Sequence, residues 1–368
     1  MSLTPSNHTP PCPHFGICGG CSLQNLDEAA YQNYKREAIS SWCTHNNLKP
    51  LHQHPAIFIP SETRRRVTFA ARRKGDQFHF GFFLAKTNII EPIEQCLLLT
   101  PALFKTAMSL KNLIAPVLKD NAETDLFLQE IDGDVELIII GALPKEQTES
   151  DRLKKLAVIA EQCGITRIGV QPKEFAPIDT ILSYKTILKN FSGLHVPIPI
   201  GNFLQPSVAG ETALLKIITA HLPSKKFKAL DLFAGCGTFT GKMIEKGGQV
   251  TGYEIDKQAV SALNQALAAH PKSKAEVRHL LNEPVTPREM KGFDLVALDP
   301  PRAGAFEQAK MLARSEIKKI IYVSCNPTSF ARDTKILLQS GFIFTDLHVV
   351  DQFIWSEHTE IVGIFTRA

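Results

Sequence analysis

Residues 231–241 read Asp231-Leu232-Phe233-Ala234-Gly235-Cys236-Gly237-Thr238-Phe239-Thr240-Gly241. An apolar strand pattern leads into this turn, and a helical pattern follows it. Glycines let the backbone turn tightly and approach a ligand at the N-terminus of the next helix. The next strand ends at Glu254, about 20 residues after the turn, where a carboxylate accepts hydrogen bonds from ribose hydroxyls. This order of strand, turn, helix, strand and acid predicts a site for an adenosine-type ligand.

Strand and helix patterns alternate through the rest of the C-terminal half. The predicted helices are Ser207–Leu222, Phe239–Lys246, Gln258–Ala269, Ala305–Arg314 and Ser329–Ser340, and the strands between them include Leu295–Asp299 and Lys319–Ser324. Two more strands close the pattern. Such alternation predicts an α/β fold with a Rossmann-like, doubly wound parallel sheet covered by helices on both faces.

Patterns of a different kind precede this region. A helix is predicted from Asp27 to Cys43, and two hairpins are centred on Lys74-Gly75-Asp76 and Asp132-Gly133-Asp134. A proline-stiffened stretch around 195–201 marks a boundary. We therefore expect three parts: an N-terminal cysteine loop and helix over 1–54, a β-rich α+β domain over 55–194, and the ligand-binding domain over 195–368.

Composition restricts the class of protein. The 368 residues are 44% hydrophobic and 21% charged, with a formal charge of +4. That mild charge permits a nucleic-acid partner without requiring one. We find no apolar run long enough to cross a bilayer and no secretory signal at the N-terminus, so we expect a cytoplasmic protein with no membrane partner. Eight cysteines in a reducing compartment favour metal binding or catalysis over disulfides.

Two polar side chains follow predicted strands of the C-terminal sheet. Asp299 precedes Pro300-Pro301, and Cys325 precedes Asn326-Pro327. The carboxyl ends of parallel strands open on one edge of a sheet, which is where open α/β sheets bind ligands. A lone cysteine is more often a small buried hydrophobe, and we interpret Cys43, Cys163 and Cys236 in that way. The position of Cys325 beside Asp299 instead indicates chemistry.

Two cofactors compete for the glycine turn. A nicotinamide fingerprint places its third glycine three residues after the second, but Thr240 stands there and Gly241 follows one residue later. S-adenosylmethionine has no pyrophosphate and needs no such close approach. The Asp-Pro-Pro turn places a carboxylate and a rigid wall beside a reactive methyl group, so the sequence favours S-adenosylmethionine.

Three cysteines lie within ten residues near the N-terminus, at Cys12, Cys18 and Cys21. Gly19-Gly20 lets the chain fold tightly enough for the three thiols to converge on a metal or cluster. Cys96, just past the first hairpin, is the best candidate for a fourth ligand. Zinc also accepts four thiolates, and spacing alone leaves the two alternatives open.

Six motifs in order resemble the RNA uracil-C5 methyltransferase family. They are Cys12 to Gln24 with the spacing Cys-x5-Cys-Gly-Gly-Cys-x2-Gln, Phe203-Leu204-Gln205, Asp231-Leu232-Phe233-Ala234-Gly235, Asp299-Pro300-Pro301-Arg302, Ser324-Cys325-Asn326-Pro327 and His358-Thr359-Glu360. The resemblance spans residues 12 to 362. It implies a methyltransferase fold at the C-terminus and modification of a uridine in RNA.

The resemblance also implies roles for individual residues. The S-adenosylmethionine contacts fall on Gln205, Phe233, Glu254 and Asp299, the nucleophile on Cys325 and the general base on Glu360. Members with this arrangement of cysteines carry a 4Fe-4S cluster, which implies Cys12, Cys18, Cys21 and Cys96 as its ligands. Two positions depart from the family's pattern, Thr238 and His279, where many members have Asn or Asp.

The chemistry explains these residue types. Uracil C5 is a poor nucleophile until a thiolate adds to C6, after which C5 takes the methyl group and must lose its proton to a base. We expect the surroundings of Cys325 to favour its thiolate. The target uridine must be single-stranded or flipped out of its stack. Arg64 to Lys74 is a candidate RNA surface, whereas the alternation of Phe78, Phe80 and Phe82 favours a place in the core.

Other functions remain open at this stage. A nucleobase amino-group methyltransferase also uses an Asp-Pro-Pro type of turn, and an RNA-binding cluster protein with an inactive catalytic domain has the same cysteines. The glycine spacing disfavours an iron-sulfur oxidoreductase. Family members act on 23S ribosomal RNA or on transfer RNA, and the cysteines favour 23S ribosomal RNA. Only eleven residues precede Cys12, so we expect no preceding RNA-binding barrel. We infer no obligate protein partner.

Overall fold

The computed structural model describes residues 8–144 and 148–367. The stretch that we examined for a secretory signal, residues 1–7, lies outside this part of the chain. Within it, every helix is too short or too polar to cross a bilayer.

The described residues form eight α-helices and eighteen strands. The helices are α1 (Glu28–His45), α2 (Pro101–Leu113), α3 (Glu149–Cys163), α4 (Val208–His221), α5 (Thr238–Glu245), α6 (Lys257–Leu267), α7 (Phe306–Ala313) and α8 (Pro327–Gln339). The strands are β1 (His52–Gln53), β2 (Ile57–Phe58), β3 (Arg66–Lys74), β4 (Gln77–Phe83), β5 (Ile90–Pro92), β6 (Glu123–Ile131), β7 (Asp134–Ile140), β8 (Arg167–Gln171), β9 (Asp179–Ser183), β10 (Leu188–Phe191), β11 (Leu194–Pro197), β12 (Phe227–Leu232), β13 (Gly248–Glu254), β14 (Lys274–Val277), β15 (Leu295–Leu298), β16 (Lys319–Ser324), β17 (Ile343–Asp351) and β18 (Glu360–Thr366).

The larger sheet has the order β1-β17-β18-β16-β15-β12-β13-β14, with β2 also paired to β17. Strands β12 to β16 are parallel, and helices cover both faces. Their burial on both sides accounts for the unbroken apolar runs of β15 and β16. The prediction of a Rossmann-like α/β domain is confirmed, and the last two strands add an antiparallel pair to it.

Local sequence explains where these helices begin. Ser207, Asp256 and Asn326 each accept a hydrogen bond from the first turn of α4, α6 and α8 respectively. Asp27 does the same for α1. Pro327 adds a preset first turn to α8, because its missing N–H would be unpaired there in any case.

The second sheet has the order β5-β4-β3-β6-β7-β8-β9. The two predicted hairpins, β3–β4 and β6–β7, lie in it, and Asp132 and Gly133 both take the positive φ that a tight hairpin turn requires. Helices α2 and α3 pack on one face. Phe80 is fully buried, and Phe78 and Phe82 pack against the same core, which confirms their predicted place.

The N-terminal segment is not separate from the C-terminal sheet. Strands β1 and β2 both pair with β17, and α1 contributes Ile39 and Cys43 to the core of that sheet. The pairing of β1 and β2 with β17 joins residues 52–58 to the C-terminal sheet. The division of the chain at residues 54 and 194 stays a prediction.

Candidate functional site

Three neighbouring strands deliver side chains to one edge of the larger sheet. Phe233, Asp299 and Cys325 are the residues that follow β12, β15 and β16. These strands are parallel and adjacent, so their carboxyl ends meet there. Phe233 has a φ of 63°, a left-handed backbone that is uncommon for a bulky residue and marks the sharp turn into the glycine loop.

The last strand brings a carboxylate to the same edge. Strand β18 is antiparallel to β16, and Ser324 pairs with Ile361 in their register. The next residues outward are Cys325 and Glu360, so these two lie side by side although 34 residues separate them in sequence.

All six residues predicted for catalysis and cofactor binding line one cavity of about 700 Å³. They are Gln205, Phe233, Glu254, Asp299, Cys325 and Glu360. Thr238 and His279, the two departures from the family pattern, line it as well. The structure therefore places together residues that the sequence spreads over more than 150 positions.

Glutamine side chains connect the carboxyl groups of this cavity. Gln205 donates through Nε2 to Asp299 Oδ2 at 2.9 Å. Nε2 of Gln352 donates to Oε1 of Gln205 at 3.1 Å and to Oε2 of Glu360 at 2.7 Å. Sequence reasoning missed Gln352, because it follows β17 in a segment whose only family motif begins six residues later.

Glu254 is held by backbone N–H groups. Its carboxylate accepts from Gly235 at 2.9 Å, Ile255 at 2.7 Å and Asp256 at 3.0 Å. These bonds fix the carboxylate against the glycine turn. A carboxylate has about four acceptor positions, so it retains capacity for a ribose hydroxyl.

Burial raises the pKa of the acids at this site. The pKa of Asp299 rises to about 7, because desolvation outweighs the bond from Gln205 and Asp231 adds repulsion. The pKa of Glu360 rises well above its usual value for the same main reason, with Asp299 as the neighbouring charge. A cationic ligand would relieve this cost, since it favours the ionised carboxylates.

Cys325 is a protonated thiol in the free protein. Burial, followed by the nearby charges of Glu360 and Asp299, raises its pKa to about 11, and Arg302 only partly offsets them. Our expectation that the surroundings favour the thiolate is therefore wrong for the protein without ligands. Neutralising the adjacent carboxyl groups would lower the pKa of this thiol.

The cavity fits the cofactor that the sequence favours. Gly237 has a φ of 96°, and a Cβ there would lie 2.6 Å from Leu263, so only glycine suits the turn. Acidic groups at both ends suit a ligand with ribose hydroxyls and a cationic sulfonium. Cys236 instead donates to Asn202 Oδ1 at 3.0 Å and is buried, in agreement with the structural role predicted for it.

The four predicted cluster cysteines line a second cavity, of about 790 Å³. Each of Cys18, Cys21 and Cys96 has a pKa raised mainly by burial and further by the other thiols of this group, to about 12 for Cys21. Backbone N–H groups of Leu98 and Leu99 point to Cys96 and that of Gly20 to Cys18. Such amides stabilise thiolates once a metal is bound, so the donor set fits the group.

The distances between the four cysteine sulfurs bear on whether a single zinc ion fits this site as the side chains stand. Zinc at about 2.3 Å from each sulfur would place the sulfurs roughly 3.8 Å apart. Among the described residues, no three of these four cysteines have sulfurs that all lie within 4.8 Å of one another. Four thiolates are a donor set that both zinc and an iron-sulfur cluster accept.

The two cavities share a wall formed by Arg64, Gln352 and Phe353. The backbone N–H groups of Ser22 and Leu23, directly after the third cysteine, donate to Trp355 O at 2.8 and 3.0 Å. The loop between β17 and Glu360 therefore packs on residues 12–23, which carry Cys12, Cys18 and Cys21 and are called the cysteine segment below.

Part of the predicted RNA surface opens on the catalytic cavity. Arg64 and Arg66 line it together with Phe203, whose side chain is 58% exposed. The guanidinium of Arg66 lies over Phe203 at 4.8 Å and over Phe127 at 5.5 Å. Arg72 instead pairs with Glu123 on the neighbouring strand. Of the predicted RNA surface, Arg64 and Arg66 are thus the basic residues that line the cavity, where Arg278 and Arg302 join them.

Comparisons with known proteins identify the family. A family model described as tRNA (uracil-5-)-methyltransferase matches residues 194–368. An uncharacterized RNA methyltransferase of Caulobacter vibrioides is 32% identical over the whole chain and 88% of its own length. The 23S rRNA (uracil(1939)-C(5))-methyltransferase of Psychrobacter arcticus is 28% identical over 99% of this chain and 76% of that protein.

One solved structure has the same fold over nearly the whole chain. The tRNA (uracil-54, C5)-methyltransferase of Pyrococcus abyssi, determined in complex with S-adenosyl-L-homocysteine, superimposes with a TM-score of 0.73 at 22% identity. The match covers 95% of this chain and 86% of that one. It therefore supports the arrangement of both sheets.

Proposed function

This chain belongs to the RNA (uracil-C5)-methyltransferase family, and we propose that it forms 5-methyluridine in 23S ribosomal RNA with S-adenosylmethionine as methyl donor. The observation that supports the proposal most strongly is the single cavity lined by Cys325, Glu360 and Asp299 together with the glycine turn.

The first step in our proposal is the addition of Cys325 to uracil C6. The thiol first gives its proton to solvent water, and the thiolate's electron pair then forms the S–C6 bond while the C5–C6 π electrons move towards C5 and the C4 carbonyl. Burial and, after it, the charges of Glu360 and Asp299 raise the pKa of the thiol, so a cation bound beside those carboxyl groups lowers that pKa. The order of events follows: the thiol becomes a nucleophile only when the cavity is filled.

S-adenosylmethionine, when bound, supplies an electrophilic methyl group. Gln205, Phe233, Glu254 and Asp299 would hold it, with Glu254 at the ribose and Asp299 towards the reacting centre. After C5 has taken the methyl group, Glu360 removes the C5 proton, and the electrons of that C–H bond re-form the double bond and expel the Cys325 thiolate. Gln352 and the raised pKa of Glu360 suit this carboxylate to accept a proton.

We further propose that Cys12, Cys18, Cys21 and Cys96 hold a 4Fe-4S cluster. Its role in our account is structural: the cluster would order residues 12–21 and support the loop 352–358, which leads to Glu360. Methyl transfer needs no electron from the cluster. When the methyl group leaves the donor, both electrons of the broken S–C bond stay on the donor's sulfur.

The mechanism is tested by trapping the covalent adduct. An RNA fragment with 5-fluorouridine at the target has no C5 proton to lose, so the adduct persists after methyl transfer and shifts the protein on a denaturing gel. We expect the adduct with the unaltered protein and none with Cys325→Ala, whose methylation of ordinary RNA falls by about a thousandfold or more. Cys163→Ala, at a buried cysteine of the other core, serves as the matched control and should form the adduct.

Glu360→Gln separates the two halves of the reaction. This variant should methylate once and retain the RNA as a covalent adduct, because the C5 proton stays in place, and its turnover should fall by about a hundredfold or more. Full turnover by Cys325→Ala would overturn the mechanism and favour amino-group methylation, which needs no thiol.

The choice of RNA has a separate test. A transfer RNA substrate is the alternative, since the family model and the superimposed structure carry the names of transfer RNA enzymes. Mapping 5-methyluridine in RNA from a deletion strain should show the loss of one residue in 23S ribosomal RNA. Loss from the transfer RNA fraction alone would overturn our assignment without affecting the chemistry at Cys325.

A further inference from the structure

Three imidazoles and one carboxylate gather at the edge of the larger sheet, outside the residues that line the catalytic cavity. Asp346 and His348 are two apart on β17 and so point to the same face of the strand. His54, just after β1, stacks on His348 with ring centroids 3.9 Å apart. His221, the last residue of α4, comes from a third element.

The nitrogen and oxygen atoms of this group are close enough to bind one ion. His54 Nε2 lies 2.8 Å from Asp346 Oδ1, and His221 Nε2 lies 3.0 Å from His348 Nε2. One donor atom from each of His54, Asp346 and His348 falls within 4.8 Å of the other two. Tetrahedral zinc with bonds of about 2.0–2.1 Å separates its ligand atoms by roughly 3.3 Å. Binding therefore requires the stacked rings of His54 and His348 to turn so that their nitrogens face one point.

We propose that His54, Asp346 and His348 form a binding site for a divalent transition metal, with zinc as the first candidate and His221 as an adjacent nitrogen donor. Imidazole nitrogen and carboxylate oxygen are ligands that zinc accepts, whereas magnesium and calcium prefer oxygen alone. Lys319 is the nearby cation, and its Nζ is held by His221 O at 3.0 Å.

The metal would join three separate elements. His54 belongs to the segment between α1 and β2, and its backbone N–H already donates to Leu347 O at 2.9 Å. An ion bound to His54 and β17 would fasten that segment to the sheet edge, and His221 would bring in the end of α4. The role is structural, so it is independent of the methyl transfer proposed above.

Zinc binding by the full chain tests the site. Protein is prepared anaerobically, its iron content is recorded, and it is titrated with zinc sulfate by calorimetry, with thermal unfolding measured in parallel. We expect one zinc per chain and a raised melting temperature for the unaltered protein. His348→Gln and His54→Ala should each weaken binding by more than about tenfold.

His52→Ala is the matched control, because His52 is an exposed histidine on β1 two residues from His54. It should bind zinc as the unaltered protein does. Zinc bound by the cysteine thiols would be equal in all four proteins. Equal zinc binding by His348→Gln and the unaltered chain would therefore overturn the proposal. The absence of zinc binding to the unaltered chain would overturn it as well. Far-ultraviolet circular dichroism shows whether His348→Gln is folded. If it is not, zinc binding by His54→Ala decides between the outcomes, because His54 is partly exposed and its replacement should leave the fold intact.

Discussion

The carboxyl groups of Asp299 and Glu360 accept hydrogen bonds from the neutral side-chain amides of Gln205 and Gln352 respectively. A buried carboxylate is usually paired with a cation, and the cost of leaving it unpaired is seen in the raised pKa of both acids. Arginines also line the cavity, but these two carboxyl groups are bonded to amides, so the cavity suits a ligand that brings a positive charge beside them. A sulfonium ligand supplies that charge.

This complementarity predicts how cofactor affinity depends on pH. The raised pKa of Asp299, about 7 in the free protein, means that the carboxyl is protonated below that pH and ionised above it. A cation binds the ionised form, so affinity for S-adenosylmethionine should fall as pH drops below 7, by up to about tenfold per pH unit, and level off above it. Calorimetry between about pH 5.5 and 7.5 measures this.

Two variants define the source of that pH dependence. Asp299→Asn should bind weakly and with little change across the range, whereas Glu283→Gln, at an exposed acid after β14, should behave as the unaltered protein. A dissociation constant that is flat across the range in the unaltered protein would contradict the assignment of Asp299 as the charge that faces the ligand.

Sequence reasoning singled out the two proposed catalytic residues because both lie in recognisable motifs, Cys325 directly after β16 and Glu360 at the start of β18. It missed Gln352, His221 and His348, since their roles depend on which elements pack together. It also could not predict the raised pKa of Cys325, because burial and the charges of Glu360 and Asp299 both arise from the pairing of strands that are distant in sequence.

Helix α1 holds the loop that precedes Glu360. Lys35 Nζ lies 2.8 Å from Asp351 Oδ1, with both side chains 2% exposed, and donates to His358 O at 2.6 Å. Tyr31 of the same helix donates to the other oxygen of Asp351 and accepts from Trp355 N at 2.9 Å. The entry into β18 is thus fixed from outside its own sheet.

Removal of the Lys35 charge should destabilise the protein. Lys35→Met keeps the side-chain volume but leaves Asp351 buried without its cation, which should cost about 3 kcal/mol or more in the free energy of unfolding, measured by urea denaturation. Lys49→Met, at an exposed lysine after the same helix, should change it little. The double variant Lys35→Met with Asp351→Leu should recover part of the lost free energy of unfolding. A Lys35→Met protein as stable as the unaltered one would contradict this account.

The elements themselves were largely predictable where the apolar pattern was long and periodic. Helix α2 escaped prediction, although Thr100 caps it and Pro101 begins it. Gly241 was read only as a departure from a nicotinamide fingerprint. Its physical reason is packing, because a Cβ there would lie 2.1 Å from the carbonyl oxygen of Phe191 in β10. That contact joins segments 50 residues apart and leaves no local signal.

At the scale of the molecule, the cysteine segment and the catalytic cavity lie on opposite sides of Gln352 and Phe353. The cysteine site should therefore affect catalysis through the position of this wall. We expect anaerobically purified Cys96→Ser to lose iron by at least about tenfold and to lose methylation activity with it, because thiols with a raised pKa stay protonated and unordered without a metal.

Cys43→Ser provides the comparison for that experiment. Cys43 is buried in the core of the larger sheet and should leave the iron content unchanged. Equal iron in Cys96→Ser and Cys43→Ser would rule out Cys96 as a ligand. Full activity in an iron-free Cys96→Ser protein would instead separate the cysteine site from the position of Glu360.

The antiparallel insertion of β18 between β16 and β17 has a consequence during protein synthesis. Cys325 is made before Glu360, and the two become neighbours only when residues 360–366 pair with β16. A growing chain on the ribosome therefore has the proposed nucleophile but not the proposed base until this strand has left the exit tunnel. Under the proposed mechanism, chains truncated before residue 360 should not complete a catalytic cycle on the RNA around them.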